Sequence, residues 1–433
     1  MFGLILELFP PCLILIGLLK HKFFNSKSIS RTEIVGAFLL KLSGGIILYY
    51  IYTKYYTQRH TADIFKYYDD SLVLYHSFFK NPIDFFKIIL GLDFNREYFS
   101  FNYYMEMNNW DTSYKNSLMN ESRLLIKINA ILNIIGLKNY FFNSISFILM
   151  AFVGEFLIFK SLIVKFKFKN PKILFWSLLL FPSIFLWSSG ILKEPLIILS
   201  FGLILNSLIV TRRTKLINIS SFTIAALIIF KVKFYIFICF FPALISYIIS
   251  EKTKFKPLRI IFTVCAIIAV IIFAMGKMNN SYNPLKILSQ KQNDFITLSE
   301  LFDNGSAFKI IPIEPSITSL LKAIPMGAIN GFFRPFPNNI NNLLQLFPLI
   351  ENMLLYLMIL YLLLKILFLK IKINQDIKNV LWNSLFFIIM LFILTGVSMP
   401  VIGALVRYKV PGLLFLIIVI NLMYDQFKKH PTK

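Results

Sequence analysis

The chain has 433 residues, of which 57% are hydrophobic, 16% aromatic and only 15% charged, with a mean hydropathy of +0.70. Soluble domains carry about a quarter charged residues, so this composition excludes a soluble globule, and repeated apolar runs of about 20 residues indicate an all-α, polytopic membrane protein. The excess of 45 Lys and Arg over 21 Asp and Glu fits either nucleic acid or the basic loops of a membrane protein. The basic residues stand in short clusters between apolar runs, which selects the membrane and excludes nucleic acid.

The first apolar run, Phe2–Leu19, lacks a preceding basic region and a small-residue cleavage site, so it is expected as a retained span. Lys20, Lys22, Lys27 and Arg31 follow it and mark the cytoplasmic side. The second span, Ile34–Thr53, carries Lys41 close enough to its inner end to snorkel. The chain then enters a long outer segment, residues 54–139, with ten Lys or Arg and nine Asp or Glu. Within it, Asn120, Arg123 and Lys127 lie at helical spacing opposite Leu124, Leu125, Ile128, Ile131 and Leu132. That pattern predicts a helix lying in the membrane interface, its basic edge toward lipid phosphates, and Phe79–Leu92 reads in the same way.

A third span, Tyr140–Phe159, leads to a loop bearing Lys160, Lys165, Lys167, Lys169 and Lys172. A hairpin follows, Ile173–Trp187 out and Pro195–Val210 back, around the turn SSGILKEP. Leu216–Phe230 and Phe234–Ile249 form another pair divided by a short KVK turn, and Ile260–Gly276 exits into a second outer segment, residues 277–348. There Pro315–Phe333 is apolar but interrupted by Pro325 and Gly327, the pattern of a re-entrant segment, which is tolerated where protein or a wet cavity lines it. Leu349–Leu369, Val380–Gly396 and Val410–Tyr424 complete the set, with RYKVP in a short outer loop before the last. The expectation is about eleven crossings in one membrane domain over 1–433, with the N-terminus outside and the C-terminus inside. Thirteen of the 21 acidic residues then fall in the two long outer segments. Cys12, Cys239 and Cys265 lie inside apolar runs without metal-ligand spacing and read as small buried hydrophobes.

This topology puts four polar islands on one side: His60–Asp70, Ser188–Glu194, Arg334–Pro337 and Arg407–Pro411. Ionisable groups at membrane level are costly, so their gathering points to function, against the plainer reading that outer loops contain polar residues. Asp63, about ten residues past the second span, is placed to act as general base toward a sugar hydroxyl. Asp69 and Asp70 are an adjacent pair, of which one can assist, or both belong to a solvated helix face. His60 and Asp63 stand at i and i+3, but without a third ligand nearby no metal is expected. Lys193 can bind phosphate as a point charge, or it can form a neutralising surface pair with Glu194. Arg334 between aromatic residues can grip phosphate bidentately, and Arg407 with Tyr408 can do the same or snorkel. Arg123 joins the phosphate-binding candidates, and Glu351, one turn into a span, is either a cavity group or a partner for an arginine.

Carboxylates and several cations facing outward beside lipid suit transfer of a sugar from a lipid phosphate, with cations on the departing oxygen and Asp63 on the acceptor, inverting configuration. At TADIFKYY, PSIFLWSSGILKEP, FFRPFP and RYKVP the chain resembles the polytopic GT-C superfamily of glycosyltransferases, particularly bacterial members of surface-polysaccharide pathways. TADIFKYY is similar to the Asp-Ala-x-x-Tyr-Tyr pattern of that family. It departs from better-known members in lacking a clear Asp-Glu pair and a soluble C-terminal domain. The resemblance implies a polyprenyl-phosphate-linked sugar as donor, a glycan or lipid-linked acceptor and Asp63 as catalytic base. It also implies a place in the bacterial inner membrane, with the active face extracytoplasmic. Two other readings stay open: a polymerase joining lipid-diphosphate-linked repeat units, in which Arg334 and Arg407 matter more than Asp63, and a transporter of lipid-linked sugars, which favours mid-membrane charges and inverted repeats.

Overall fold

The computed structural model is 83% helix, and its described residues contain no strand, only an isolated bridge between Ala307 and Val401. It describes residues 17, 20–55, 59, 62–110, 121–210, 214–253, 255–278, 283–301, 306–340, 343–369 and 373–429. Among these, seven helices are long and apolar enough to cross a membrane, and the chain is a membrane-embedded protein. The contrast with eleven expected crossings has identifiable sources. The first expected span, apart from Gly17, lies outside the described residues. The outward arm of the hairpin is two helices of 10 and 6 residues, broken at Phe181-Pro182, where proline cannot continue the helical hydrogen bonding. The returning arm has 17 residues, at the lower limit for a crossing.

The chain divides into two compact units, 1–234 and 235–433. In the first, α1 (Arg31–Tyr50) begins with a capping box: Ser30 accepts from the Glu33 amide while the Glu33 side chain accepts from the Ser30 amide. α2 (Asp63–Lys80), α3 (Pro82–Leu90), α4 (Arg96–Asn102) and α5 (Arg123–Ile135) build the polar segment that follows. Phe79–Leu92 is therefore not one helix. Asn81 caps a new helix at Pro82, and Gly91 ends it in the left-handed conformation with φ 76°. α5 docks through amides rather than through its apolar residues alone. Asn143 donates to Asn129 and Asn133, and Asn133 donates to Ser71, so α2, α5 and α6 share one buried network.

α6 (Tyr140–Phe166) is the longest helix of this unit, and α7 (Pro171–Leu180), α8 (Pro182–Trp187), α9 (Lys193–Ile209) and α10 (Lys215–Val232) follow. In lipid, apolar surface gives little drive for helix association, so close backbone approach does more of the work. α6 and α9 meet in this way, for a methyl group on Gly202 would meet the Gly154 carbonyl oxygen.

The second unit holds α11 (Phe234–Lys252), α12 (Pro257–Met278), α13 (Pro284–Leu301), α14 (Ile317–Phe333), α15 (Leu343–Leu369), α16 (Gln375–Ser398) and α17 (Ile402–Lys429). α14 runs through Pro325 as one helix and packs on α16 through Gly327 and Gly331, a small-xxx-small face. A methyl group on Gly396 would stand 2.5 Å from the Gly331 amide nitrogen. RYKVP is not a loop: α17 begins at Ile402 and carries Arg407 through Pro411 within the helix. Gln292 closes the polar interior of this unit, donating to the Ile311 and Val397 carbonyls and accepting from the Ile313 amide.

Candidate functional site

Asp63 is the first residue of α2, where the helix dipole favours an anion, and it forms an ion pair with Lys66 one turn along. Its neighbours Ala62, Ile64 and Phe65 share an apolar cluster with Leu48 of α1 and Leu192, the residue before α9. The start of α2 is thus seated against the start of α9. There the two adjacent ions of α9 bond in different directions. Lys193 donates to Glu121 at 2.8 Å, while Glu194 accepts from Lys233 at 2.7 Å with 0% and 1% of those two side chains exposed. The neutralising pair expected between Lys193 and Glu194 is replaced by these two longer-range pairs. Asp63 keeps 25% of its side chain exposed, so a solute can reach it.

Lys66 is the electrostatic link in this group. Burial of its ammonium works to lower the pKa, but the Asp63 charge, with Tyr67, outweighs burial and holds it above the ordinary lysine value, while Lys193 opposes them. Asp63, Lys66, Lys193 and Glu121 therefore form one ionic group of the first unit, with the buried pair Glu194–Lys233 adjoining it in sequence at Lys193. It can offer a carboxylate to a hydroxyl proton and ammonium groups to an oxyanion.

Asp69 and Asp70 do other work. Arg59 grips Asp69 bidentately at 2.9 and 2.7 Å, which raises the arginine pKa, and its guanidinium lies 4.2 Å from the Phe65 ring centre. Asp70 is buried and accepts from the Asn108 and Asn109 amides at 3.1 and 2.7 Å. Burial raises its pKa, against the pull of those two amides. Asp70 thereby ties down the backbone at Asn108 and Asn109, next to Trp110. His60 lies outside the described residues.

Arg123 sits beside an aromatic ring. Its guanidinium sits 5.2 Å from the Trp110 ring centre, and Lys127 is 5.9 Å from the same ring and donates to the Ile89 carbonyl. Trp110 in turn stacks on Tyr104 at 4.7 Å. The basic edge of α5 turns inward onto an aromatic held by Asp70, and Ile131 and Ile135 are the exposed residues of that helix.

Deeper in the first unit lies a polar group not anticipated from the sequence. Lys41 does not snorkel. Its ammonium is 2.5 Å from Glu155 of α6 and 2.8 Å from the Ser188 hydroxyl, and both charged side chains are 1% exposed. Glu155 sits inside an apolar run, and an acidic residue there is itself the signal. Lys233 carried a signal too: KVK is a basic turn on the opposite side from the other short lysine clusters of the expected topology. Glu121 showed none, since its partner is 72 residues away.

In the second unit, Arg334 follows α14 directly and is held by neutral groups. Its Nε donates to Asn330 and its Nη1 to Asn339, and the Phe308 ring centre is 3.9 Å from the guanidinium carbon. Burial lowers its pKa. Its carbonyl oxygen accepts from Asn352 and from the Lys409 ammonium at 3.1 Å. Lys409 is buried and within electrostatic reach of Glu351, which is also buried. Arg407 is buried rather than projecting from a loop, and Tyr408 stacks on Tyr235 at 5.4 Å. Lys409, absent from the sequence-derived set, is the residue that joins α17 to Arg334. No family model, curated protein or solved structure matches this chain.

Proposed function

We propose that the protein is a membrane glycosyltransferase of the GT-C type, transferring a sugar from a polyprenyl-phosphate-linked donor to a glycan or lipid-linked acceptor. On this reading it works at the extracytoplasmic face of a bacterial inner membrane, in surface-polysaccharide synthesis. The observation that carries the proposal is the position of Asp63, a partly exposed carboxylate on the first turn of α2, packed beside the start of α9 with Lys66 and Lys193 as its cationic neighbours. Asp63 is the general base toward the acceptor hydroxyl, with Lys66 as its ion-pair partner. Lys193 stabilises the charge that develops on the departing phosphate oxygen, and Glu121 yields that position when donor binds.

The test is product analysis with purified protein in lipid, given a polyprenyl-phosphate sugar and a lipid-linked acceptor. Transfer of one sugar, lost in Asp63→Asn while expression and insertion stay normal, supports the reading. Normal product from that variant dismisses the base assignment.

A repeat-unit polymerase is the second reading. It is favoured by Arg334, a cation of the second unit held by the neutral side chains of Asn330 and Asn339 and joined through its carbonyl to Lys409, which suits a lipid diphosphate. Its product is a ladder of repeat units that survives Asp63→Asn and is lost in Arg334→Gln. A transporter of lipid-linked sugars moves its substrate across liposomes without changing its mass.

A further inference from the structure

We propose that Lys41 and Glu155 are positioning residues. Their ion pair, acting through Ser188, sets where the turn at residues 188–192 carries Lys193 and Glu194 relative to Asp63. The assignment of a role to Lys193 and Asp63 rests on the glycosyltransferase reading, whereas the positional claim stands on geometry alone.

Stability does not account for such a pair. Two charges taken out of water lose about as much hydration as they gain in attraction, and an apolar pair of similar volume often serves the fold equally well. What the pair adds is a directed third bond. The Lys41 ammonium donates to the Ser188 hydroxyl, which itself donates to the Ile184 carbonyl at 2.6 Å, so Ser188 is held at the last turn of α8. Beyond Ser188 the chain lies along the same face of α1. A methyl group on Gly44 would stand 2.9 Å from the Ser189 hydroxyl, and one on Gly45 would stand 3.0 Å from the Ser189 carbonyl oxygen. One on Gly190 would be 2.7 Å from Leu48 and 3.7 Å from Ile64, the residue after Asp63.

Lys41, Gly44, Gly45 and Leu48 follow the i, i+3, i+4, i+7 spacing of one helical face. That face is a track on which the turn rests, and the only charged residue among these four is Lys41. From the other side, Glu155 is the neighbour of Gly154, whose backbone meets α9 at the Ile198 carbonyl. The pair therefore bonds the two helices that flank the turn, α1 and α6, at the residues where each touches the hairpin. A sliding of the turn by one residue would move Ser188 out of reach of Lys41 and displace Lys193 from Lys66 and Glu121.

Three variants in the full-length protein test this, each with two readouts. The first readout is a disulfide between Leu48→Cys and Gly190→Cys, which reports the seating of the turn. The second is the rate of sugar transfer. Ser188→Ala removes only the link from the pair to the turn. It should cut the yield of the disulfide several-fold and lower kcat about tenfold, with KM for the acceptor unchanged. Lys41→Met with Glu155→Leu should do the same while the protein still inserts and folds. Lys41→Arg, which can still reach both partners, should restore crosslinking and kcat to within about threefold. Parental disulfide yield in Ser188→Ala overturns the proposal, whatever becomes of the double variant. If no background transfers sugar, the glycosyltransferase reading fails by itself, and the disulfide yields still decide whether the pair sets the turn.

Discussion

The Lys233 ammonium and the Glu194 carboxylate meet at 2.7 Å between the end of α10 and the first turn of α9, both shut away from solvent. Removing one member strands the other charge in a medium that cannot solvate it. Lys233→Met should therefore cost about 3–5 kcal/mol, and adding Glu194→Leu should recover most of that loss. Urea or thermal unfolding in detergent measures both, and a double variant no better than the single would refute the pairing.

Glu121 occupies the ammonium of Lys193 at 2.8 Å, where the proposed mechanism puts a phosphate oxygen. Donor must displace that carboxylate. Glu121→Gln should lower the donor KM about three- to tenfold, the effect of an ion pair worth roughly 1 kcal/mol at a partly screened position. An unchanged or higher KM would mean that the phosphate binds elsewhere.

Asp70 supplies a pH signature. Its folded pKa is raised above the ordinary aspartate value by burial. The neutral carboxyl is thus favoured by folding: its contribution is complete below about pH 3.9 and is lost as pH rises through the folded pKa. Asp70→Asn cannot ionise and escapes that loss. Its melting temperature should rise relative to the parent as pH climbs from about 4 toward neutral. A difference constant across that range would show that Asp70 titrates with no shift.

The helix pair α14 and α16 is set by backbone approach, with a methyl group on Gly331 meeting the Phe392 carbonyl oxygen. Gly331→Ala should force the helices apart and cost about 1–3 kcal/mol. Gly403→Ala is the control, since a methyl group there meets nothing within 4 Å. Equal stability of the two variants would argue against the close-packed pair.

Hydropathy alone exposes much of this fold. Tyr140–Phe166 and Gln375–Ser398 are legible because long apolar runs can only be helices in lipid. Asp63 stands out in the sequence as well, because it opens a polar stretch about ten residues past an apolar span. What the sequence conceals is pairing. Lys41 reads as a snorkelling residue until Glu155, 114 residues away, is placed beside it. Lys193 and Glu194 read as a local pair because adjacency in sequence is visible, whereas their separate partners Glu121 and Lys233 are fixed by tertiary packing. RYKVP reads as a loop because its two cations interrupt the apolar run. Burial of Arg407 and Lys409 within the second unit lets the helix pass through them. Arg123 and Lys127 read as lipid-facing because nothing in their own helix reveals that Trp110 will cover them.

The span of α17 has a consequence of its own. Twenty-eight residues make a rod of about 42 Å, whereas the hydrocarbon layer is about 30 Å thick. Such a rod must lean or protrude, and Arg407 and Lys409 lie among its first eight residues. Membrane thickness then governs how far those cations ride from the headgroups, so the choice of lipid is a handle on this end of the protein.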